Sequence, residues 1–442
     1  MSKFLSRIRR RARAESRQGQ SKSIAWRRTL LVVWIAEFVA LIGFAMVMPF
    51  LPFYVEELGV SDPDQVKFWS GLIMGAQAIT MGLFAPIWGG LADRRGRKLM
   101  LERALFGATV VTTLMALART PQQLLILRLF QGALTGTVPA ATTLVASVAP
   151  RDRTGFALGW LQMGIFAGVS VGPLVGGLVA DTLGYRAAFW ATGACLLLAG
   201  LGVLFFVEEK FERPASEPGE RRPRWWDGLV MVLRSRDLRI VLFTRLLTRT
   251  GTRIIGPVLP LFVAALLPES SRVATMTGIV TGASAAASSV GAVVLGRTGD
   301  RIGYRRVLLI STSTAVVFYA LQALVTNTIQ LILLQFCVGA AMAGTLSALT
   351  SMLATLAPEG QQGAVYGADT SIVSGANAIG PMLGAALSVA LGNRAAFLLA
   401  AGVFALAVAL IGWLLPNRQA EPDPAAASVS VRQNRQAKSA KT

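Results

Sequence analysis

Histidine is absent from the 442 residues, and only two cysteines, Cys195 and Cys337, are present. Without histidine, proton exchange near neutral pH falls to carboxylates. Both cysteines lie inside apolar runs, which favours packing residues over a disulfide or a metal-ligand pair. No G-x4-G-K-[ST] phosphate loop, metal-ligand set or nucleophile–base pair is visible. The sequence therefore predicts neither an enzyme nor a bound cofactor.

Charged residues are also scarce, at 15% of the chain against roughly a quarter in soluble globular proteins. Hydrophobic residues make up 53%, and the mean hydropathy is +0.56. Apolar stretches of about 20 residues, the length that crosses a bilayer as a helix, recur along the chain. The first, from Thr29 to Tyr54, is too long for a signal-peptide core and lacks a small-residue cleavage site. We therefore expect an all-α protein embedded in the lipid bilayer.

Twelve transmembrane spans are predicted, and their ends are defined to within a few residues. They cover residues 29–54, 68–91, 99–118, 121–148, 154–180, 186–207, 240–266, 276–296, 307–325, 328–356, 361–391 and 394–415.

Lysine and arginine divide unequally between the two sides of these spans. The tails and the loops after even-numbered spans hold 33 of them, whereas the opposite loops hold five. The positive-inside rule therefore places both tails in the cytoplasm, as expected of a multi-pass protein of the cytoplasmic membrane. The net charge of +20 reflects this distribution, and no nucleic-acid partner is expected.

The two halves of the chain repeat each other. PFLPFYVEEL returns as PVLPLFVAAL, GGLADRRGRK as GRTGDRIGYR and LGYRAAF as LGNRAAF, each 207 or 208 residues later. Three matches at one offset indicate a six-plus-six duplication. This duplication is the architecture of transporters in which the substrate binds midway through the membrane, between two bundles that rock against each other. A chain that contains both bundles is expected to function as a monomer.

Five regions follow from this duplication. They are a basic N-terminal tail (1–28), a six-helix bundle (29–207), a cytoplasmic linker (208–239), a second six-helix bundle (240–415) and a C-terminal tail (416–442).

The loop between the second and third spans reads GGLADRRGRK. Its glycines permit a tight turn, and Asp93 can cap the next helix or pair with guanidinium groups. Such an ion pair can hold one conformation and break in another. The second copy has Tyr304 where the first has Arg97, which predicts a weaker contact, and the alternative is a plain basic stop-transfer loop. The candidate gating residues are Gly89, Asp93, Arg94, Gly96, Arg97, Asp300 and Arg301.

The fourth span contains LLILRLFQG, with Arg128 and Gln131. An arginine in a span costs roughly 2.5–3.5 kcal/mol on insertion scales, so Arg128 is expected to face a cavity or a partner. Its counterpart in the second half is the uncharged Gln335. The alternative is a structural arginine bonded to backbone carbonyls.

The fifth span has the glycine spacing G-x8-G-x3-G-P-x2-G-G. Small residues at helical spacing allow two helices to approach closely, and a proline interrupts the backbone ladder. The span 11 copy has alanine at two of the glycine positions. The residues of the pattern are Gly159, Gly168, Gly172, Pro173, Gly176 and Gly177.

The seventh span has arginines at Arg245, Arg249 and Arg253, which share one helix face. The repeat places Glu37 of the first span at the depth of Arg245, and Asp369 lies two turns into span 11. Arg245 is near enough to the cytoplasmic end to extend to the headgroups. The two deeper arginines need carboxylates, a wet cavity or an anionic ligand.

These motifs resemble the major facilitator superfamily, and within it the twelve-helix drug:proton antiporter family of multidrug efflux transporters. The resemblance extends from about Trp26 to Leu415. It implies two six-helix bundles related by a pseudo-twofold axis and a cytoplasmic latch at the Asp93 loop. It also implies an antiporter role for the span 5 glycines. For Arg128 it implies a part in proton coupling, by favouring the ionised form of a nearby carboxylate in one conformation.

The sequence departs from this family at the arginine face and at Glu37, since members do not usually carry three arginines or a glutamate there. A cavity with more arginines than carboxylates favours anionic or zwitterionic amphiphiles. The alternative is a set of structural salt bridges among Glu37, Asp369 and the arginines, with neutral apolar substrates.

The sequence as a whole predicts a secondary transporter that exports small amphipathic or apolar compounds in exchange for protons. Arg128 with Glu37 or Asp369 would couple the proton. The predicted substrate cavity is lined by Arg245, Arg249, Arg253, Gln131 and Gln335. One alternative function is uptake of an organic anion by proton symport. A receptor that keeps the fold without transporting is another.

Overall fold

The computed structural model describes residues 26–150, 153–209, 235–268, 272–357 and 362–415. Most of both predicted tails and residues 210–234 of the predicted linker lie outside these ranges. All the regular structure in the described ranges is helical. The α-helices are α1 (26–46), α2 (Leu51–Glu57), α3 (Pro63–Arg95), α4 (Arg97–Met115), α5 (Pro121–Leu134), α6 (Thr137–Val148), α7 (Thr154–Leu183), α8 (Tyr185–Phe206), α9 (Arg236–Ile254), α10 (Val258–Leu266), α11 (Val273–Ile302), α12 (Tyr304–Gln322), α13 (Thr328–Leu356), α14 (Gln362–Leu391) and α15 (Asn393–Leu414).

Helices lie over each of the twelve predicted spans. In the described part of the chain, nine helical stretches are long and apolar enough to cross a membrane. The other three predicted spans contain α4, α9 with α10, and α12, and each of these stretches has charged side chains in its first turn. The number of crossings, twelve, therefore remains a prediction.

Three of the predicted spans consist of two helices each. The span of α5 and α6 is interrupted at Thr135, and Gly136 adopts a φ of 130° that favours glycine. Pro139 has no N–H with which to bond the carbonyl of Thr135, so the helical ladder cannot pass this point. The second half has Ser347 at the position of Pro139, and there α13 is continuous. The other interruptions, between α1 and α2 and between α9 and α10, contain Pro49 and Pro257.

Each half packs around its own buried apolar side chains. In the first half, Leu105 and Leu196 belong to one cluster and Phe189 to another. In the second half, Tyr319 and Phe404 stack with ring centroids 5.3 Å apart. The peripheral pairs α4 with α8 and α12 with α15 pack inside their own halves. Two bundles of similar construction result.

The bundles meet along two seams, α7 against α11 and α3 against α14. At the first seam, a Cβ on Gly278 would overlap the backbone carbonyl of Pro173. At the second, a Cβ on Gly71 would lie 2.8 Å from the carbonyl oxygen of Pro381. Prolines at equivalent positions of the two halves therefore face the opposite bundle, and glycines allow the backbones to approach.

The seams are closed at one end of the molecule and open at the other. We call the end near Gly184 and Gly392 the outer end, and the end near Gly96 and Gly303 the inner end. Towards the inner end, the equivalent glycines of α7 and α14 (Gly159 and Gly367) have no atom of another element within 4 Å of an added Cβ. Among the described residues, the seams are therefore in contact at the outer end and separated at these two glycines of the inner end.

Candidate substrate and proton site

The arginine face of α9 begins with a buried ion pair. The Nε of Arg245 lies 2.5 Å from Oδ1 of Asp369 on α14, and its Nη1 donates to Oγ1 of Thr350 at 3.1 Å. Arg245 is only 8% exposed. Its side chain therefore reaches across to α13 and α14 and does not extend to the headgroups, the first role considered for it.

Within the described ranges, the next two arginines of this face form no hydrogen bond or salt bridge with a carboxylate, although Arg249 interacts electrostatically with Asp369. Arg249 is half-buried and makes no hydrogen bond or ion pair within the described ranges. Arg253 is exposed, and its Nε donates to Oδ1 of Asn377 on α14 at 2.7 Å. A Cβ on Gly256, three residues later, would lie 3.6 Å from the sulfur of Met74 in the first bundle. This end of α9 thus borders the opposite bundle.

Glu37 of α1 has the opposite environment. It is fully buried, and its Oε2 accepts from Oγ1 of Thr137 at 3.4 Å. Its Oε1 is buried without a partner, and no cation pairs with it in the part of the chain that the structure describes. Thr137 is the first residue of α6, so the helix break before it places the hydroxyl group beside Glu37. Glu37 and the three arginines do not form one salt-bridge network.

Arg128 of α5 is 3% exposed and is bonded to amide side chains. Its Nη1 donates to Oε1 of Gln77 and to Oε1 of Gln131, both at 3.0 Å. Gln131 in turn donates to Oγ1 of Thr112 at 2.9 Å. The Nε and Nη2 of Arg128 are buried and unpartnered. Arg128 is therefore not a structural arginine bonded to backbone carbonyls, and no carboxylate within the described residues pairs with it.

The two glutamines expected in the substrate cavity are both buried. Gln131 belongs to the Arg128 network, and Gln335 accepts a 2.7 Å hydrogen bond from Nε2 of Gln322. Their exposures are 2% and 8%. The structure buries both side chains in contact with neighbouring helices.

The central charges sum to an excess of positive charge. Within the described ranges, Arg253 and Arg128 have no acidic partner, and Arg249 shares the field of Asp369, which is ion-paired with Arg245. A half-buried guanidinium with no partner favours an anionic group nearby.

The glycines of α7 pack mainly against α1. A Cβ on Gly168 would lie 2.6 Å from the carbonyl oxygen of Phe38, and one on Gly172 would lie 2.5 Å from Cβ of Ala45. Gly176 has the same role against Met46, and Gly177 instead faces α11 across the seam. The predicted close-packed seam thus contacts both bundles.

The loop between α3 and α4 turns at Gly96, which has a φ of 102°. Arg94 and Arg301 are exposed and make no bond within the described residues. The side chains of Asp93 and Asp300 lie outside what the structure describes. The amides of Arg97 and its neighbour Lys98 donate to the carboxylate of Glu209 at 3.0 and 2.7 Å. In this conformation the start of α4 is therefore bonded to the beginning of the predicted linker.

Sequence reasoning missed several uncharged partners of this site. Thr137 could have been predicted as a partner of Glu37, because Gly136 and Pro139 mark a helix break at a similar depth in the membrane. Gln77, Thr350 and Asn377 lie on other helices, and no local pattern distinguishes them.

Comparison with known proteins supports this architecture. The model of the Major Facilitator Superfamily matches residues 33–265 and 241–440. The chain belongs to this superfamily. Multidrug resistance protein MdtG of Escherichia coli O1:K1 is 38% identical over 381 residues, covering 86% of this chain and 92% of MdtG. This confirms the predicted family and its multidrug efflux branch.

Solved superfamily structures show the same fold. The nucleoside transporter NupG superposes with a TM-score of 0.72 at 15% identity, covering 88% of this chain and all of NupG. The human organic anion transporter MFSD10 superposes with a TM-score of 0.64 at 21% identity, covering 87% and 99%. The chain is thus a multi-pass membrane protein with a transporter fold.

Proposed function

We propose that this superfamily member exports small amphipathic compounds across the cytoplasmic membrane in exchange for protons. Its similarity to MdtG, a multidrug resistance protein, supports efflux. The glycine face of α7, which packs on α1 and also contacts α11, supports an antiporter. Both predicted tails would lie in the cytoplasm, and one chain with bundles at 29–207 and 240–415 would suffice for transport.

The observation that carries the proposal is the contrast between Glu37 and Asp369. Asp369 has a guanidinium partner, whereas Glu37 is fully buried with one weak hydroxyl donor. An ionised carboxylate enclosed without a cation is costly, and a bound proton removes that cost. Glu37 therefore carries the exchanged proton, and Asp369 holds α9 to α14.

Arg128 would act on this proton from a distance, through conformational change. Its unpartnered Nε and Nη2 leave one edge of the guanidinium free to receive a carboxylate when the bundles move. In the present conformation that edge is unused, which agrees with a protonated Glu37.

The substrate would bind against Arg249 and Arg253. Within the described residues, the first has no hydrogen bond or ion pair and the second bonds only to the neutral Asn377, so both can accept an anionic group without breaking an ion pair. We therefore propose that the exported compounds include amphiphiles with a carboxylate, sulfonate or phosphonate group. Apolar surface on the same compounds would account for their entry from lipid.

Proton movement in proteoliposomes tests this function. Substrate added to wild-type vesicles with an imposed pH gradient should release protons. Glu37→Gln should abolish the signal, and Arg128→Ala should reduce it. A surface variant, Glu57→Gln, provides the control, since its ion pair with Arg186 lies at the outer end. A full signal from Glu37→Gln would reject Glu37 as the proton carrier.

The excess of arginine also favours a second function, proton-coupled uptake of an organic anion. Efflux and uptake differ in the direction in which the substrate crosses the membrane. Expression in intact cells should lower the accumulation of a fluorescent anionic amphiphile if the protein exports, and raise it if the protein imports. A rise would overturn efflux and leave the anion site intact.

A further inference from the structure

The outer end of the seam between α7 and α11 contains a carboxylate that caps a helix of the other bundle. Asp181 of α7 accepts from the backbone amide of Thr275 at 2.7 Å and from that of Ala274 at 3.3 Å. These are the second and third amides of α11, which no carbonyl of that helix can satisfy. The residue that precedes α11, Arg272, offers them no side-chain bond.

We propose that Asp181 is an outer gate residue, which holds the outer ends together by capping α11 from the opposite bundle. A carboxylate at a helix N-terminus forms charge-assisted hydrogen bonds and interacts favourably with the helix dipole. A cap from the same bundle would persist when the bundles rock. Asp181 stabilises only the conformation in which the outer ends meet, and therefore sets the balance between the two conformations.

The second seam has no such cap. The repeat places Lys67 at the position of Ala274, and Val389 at that of Asp181. Lys67 donates from Nζ to the carbonyl oxygen of Ser388, in the last turn of α14, at 3.3 Å. A cation at a helix C-terminus is favourable, but Lys67 also pairs with the exposed Asp64 of its own bundle at 2.9 Å. Among the described residues, the strongest charged contact across the outer end is thus the Asp181 cap.

Distances between spin labels on the two bundles measure the gate directly. Cys195 and Cys337 are first replaced, and labels are attached at positions 119 and 326, exposed residues in equivalent outer loops. Asp181→Ala should raise the ratio of long-distance to short-distance populations about fivefold to tenfold, the range expected for a lost N-cap. Asp181→Asn, whose one side-chain oxygen can still accept the shorter bond from Thr275, should recover part of the closed population.

Two controls distinguish loss of the Asp181 contact from a nonspecific change in structure. Glu57→Ala removes another outer-end carboxylate, whose partner Arg186 is in the same bundle, and should leave the distances unchanged. Labels at positions 61 and 119, both in the first bundle, should keep their separation in every variant. An unchanged distribution in Asp181→Ala, or an equal shift in Glu57→Ala, would overturn the proposal.

A variant that leaves Asp181 in place gives an independent test. Arg272→Ser supplies α11 with a cap from its own bundle, so the open conformation no longer loses its cap. The open population should rise even though Asp181 is present, and no rise would contradict the proposed mechanism. The measurement needs neither substrate nor protons, so it stands apart from the proposed efflux.

Discussion

The first and second bundles share a backbone plan but differ in the ionisable groups at their centres. Glycines of α7 pack on α1 as those of α14 pack on α9, with Gly176 against Met46 and Gly384 against Ile254. At the equivalent central position, however, one half has a buried, unpaired Glu37 and the other has Arg245 paired with Asp369. Close helix packing preserves the glycines of both halves, whereas the ionisable residue at the central position differs.

This difference suggests a division of labour between the halves. The first bundle holds an isolated carboxyl group that can gain and lose a proton without breaking an ion pair. The second holds an excess of guanidinium groups, of which one is neutralised. Proton and substrate would then occupy different bundles and be coupled through the seams between them.

Breaking the ion pair of the second bundle should have the largest effect. Asp369→Asn leaves Arg245 buried without its carboxylate, which should lower the free energy of unfolding by about 3–5 kcal/mol. Thermal unfolding in detergent measures the loss. The matched control is the double variant Arg245→Met with Asp369→Leu, which removes both charges and should be near wild type. A single variant as stable as wild type would show that the pair is not structural.

Adding a methyl group at the close-packed seams should cost less. A Cβ on Gly176 or Gly384 would overlap the carbonyl of the facing helix, so alanine there should destabilise by about 1–3 kcal/mol. Gly159 and Gly367 have open space and serve as controls. Alanine at these two should be neutral or stabilising by up to about 1 kcal/mol, because it is the better helix former. Equal losses at all four would mean that packing is not the cause.

The packing plan could be predicted from sequence because it is periodic. The glycine spacing of α7 and its copy in α14 predicted a close-packed helix face, and the arginines at every fourth residue predicted a single charged face. Side-chain pairings could not be predicted in the same way. Arg245 meets Asp369 across 124 positions of the chain, and only the three-dimensional packing of α9 on α14 selects this partner over Glu37.

The helix breaks also could not be predicted from hydropathy. Thr137 lies beside Glu37 because Gly136 and Pro139 end one helix and begin another within a continuous apolar run. Gln131 and Gln335 were expected in the cavity: Gln131 lies in the same motif as Arg128, and Gln335 is the counterpart of Arg128 in the second half. Each instead bonds a side chain on a neighbouring helix, since a buried amide must satisfy its donors and acceptors.

The ends of the peripheral helices differ between the bundles, and this gives a smaller prediction. Glu209 accepts from the first two amides of α4, whereas in the second bundle Arg305 donates to the last carbonyls of α15. Glu209→Gln should lower stability by about 1 kcal/mol through the weakened cap. Glu208→Gln, at an exposed neighbour, should have no measurable effect, and equal losses would rule out a specific cap.

Glu37→Gln should have the smallest effect on stability and so sharpens the contrast with Asp369. If Glu37 carries a proton in this conformation, the amide replaces a neutral group of similar size, and the free energy of unfolding should change by less than about 0.5 kcal/mol. An ionised Glu37 would behave differently, because its removal would relieve a buried charge and stabilise the protein by about 1 kcal/mol or more. Thermal unfolding of Glu37→Gln beside Asp369→Asn separates these cases. Stabilisation of the first variant would place a charge, and not a proton, at the centre of the first bundle.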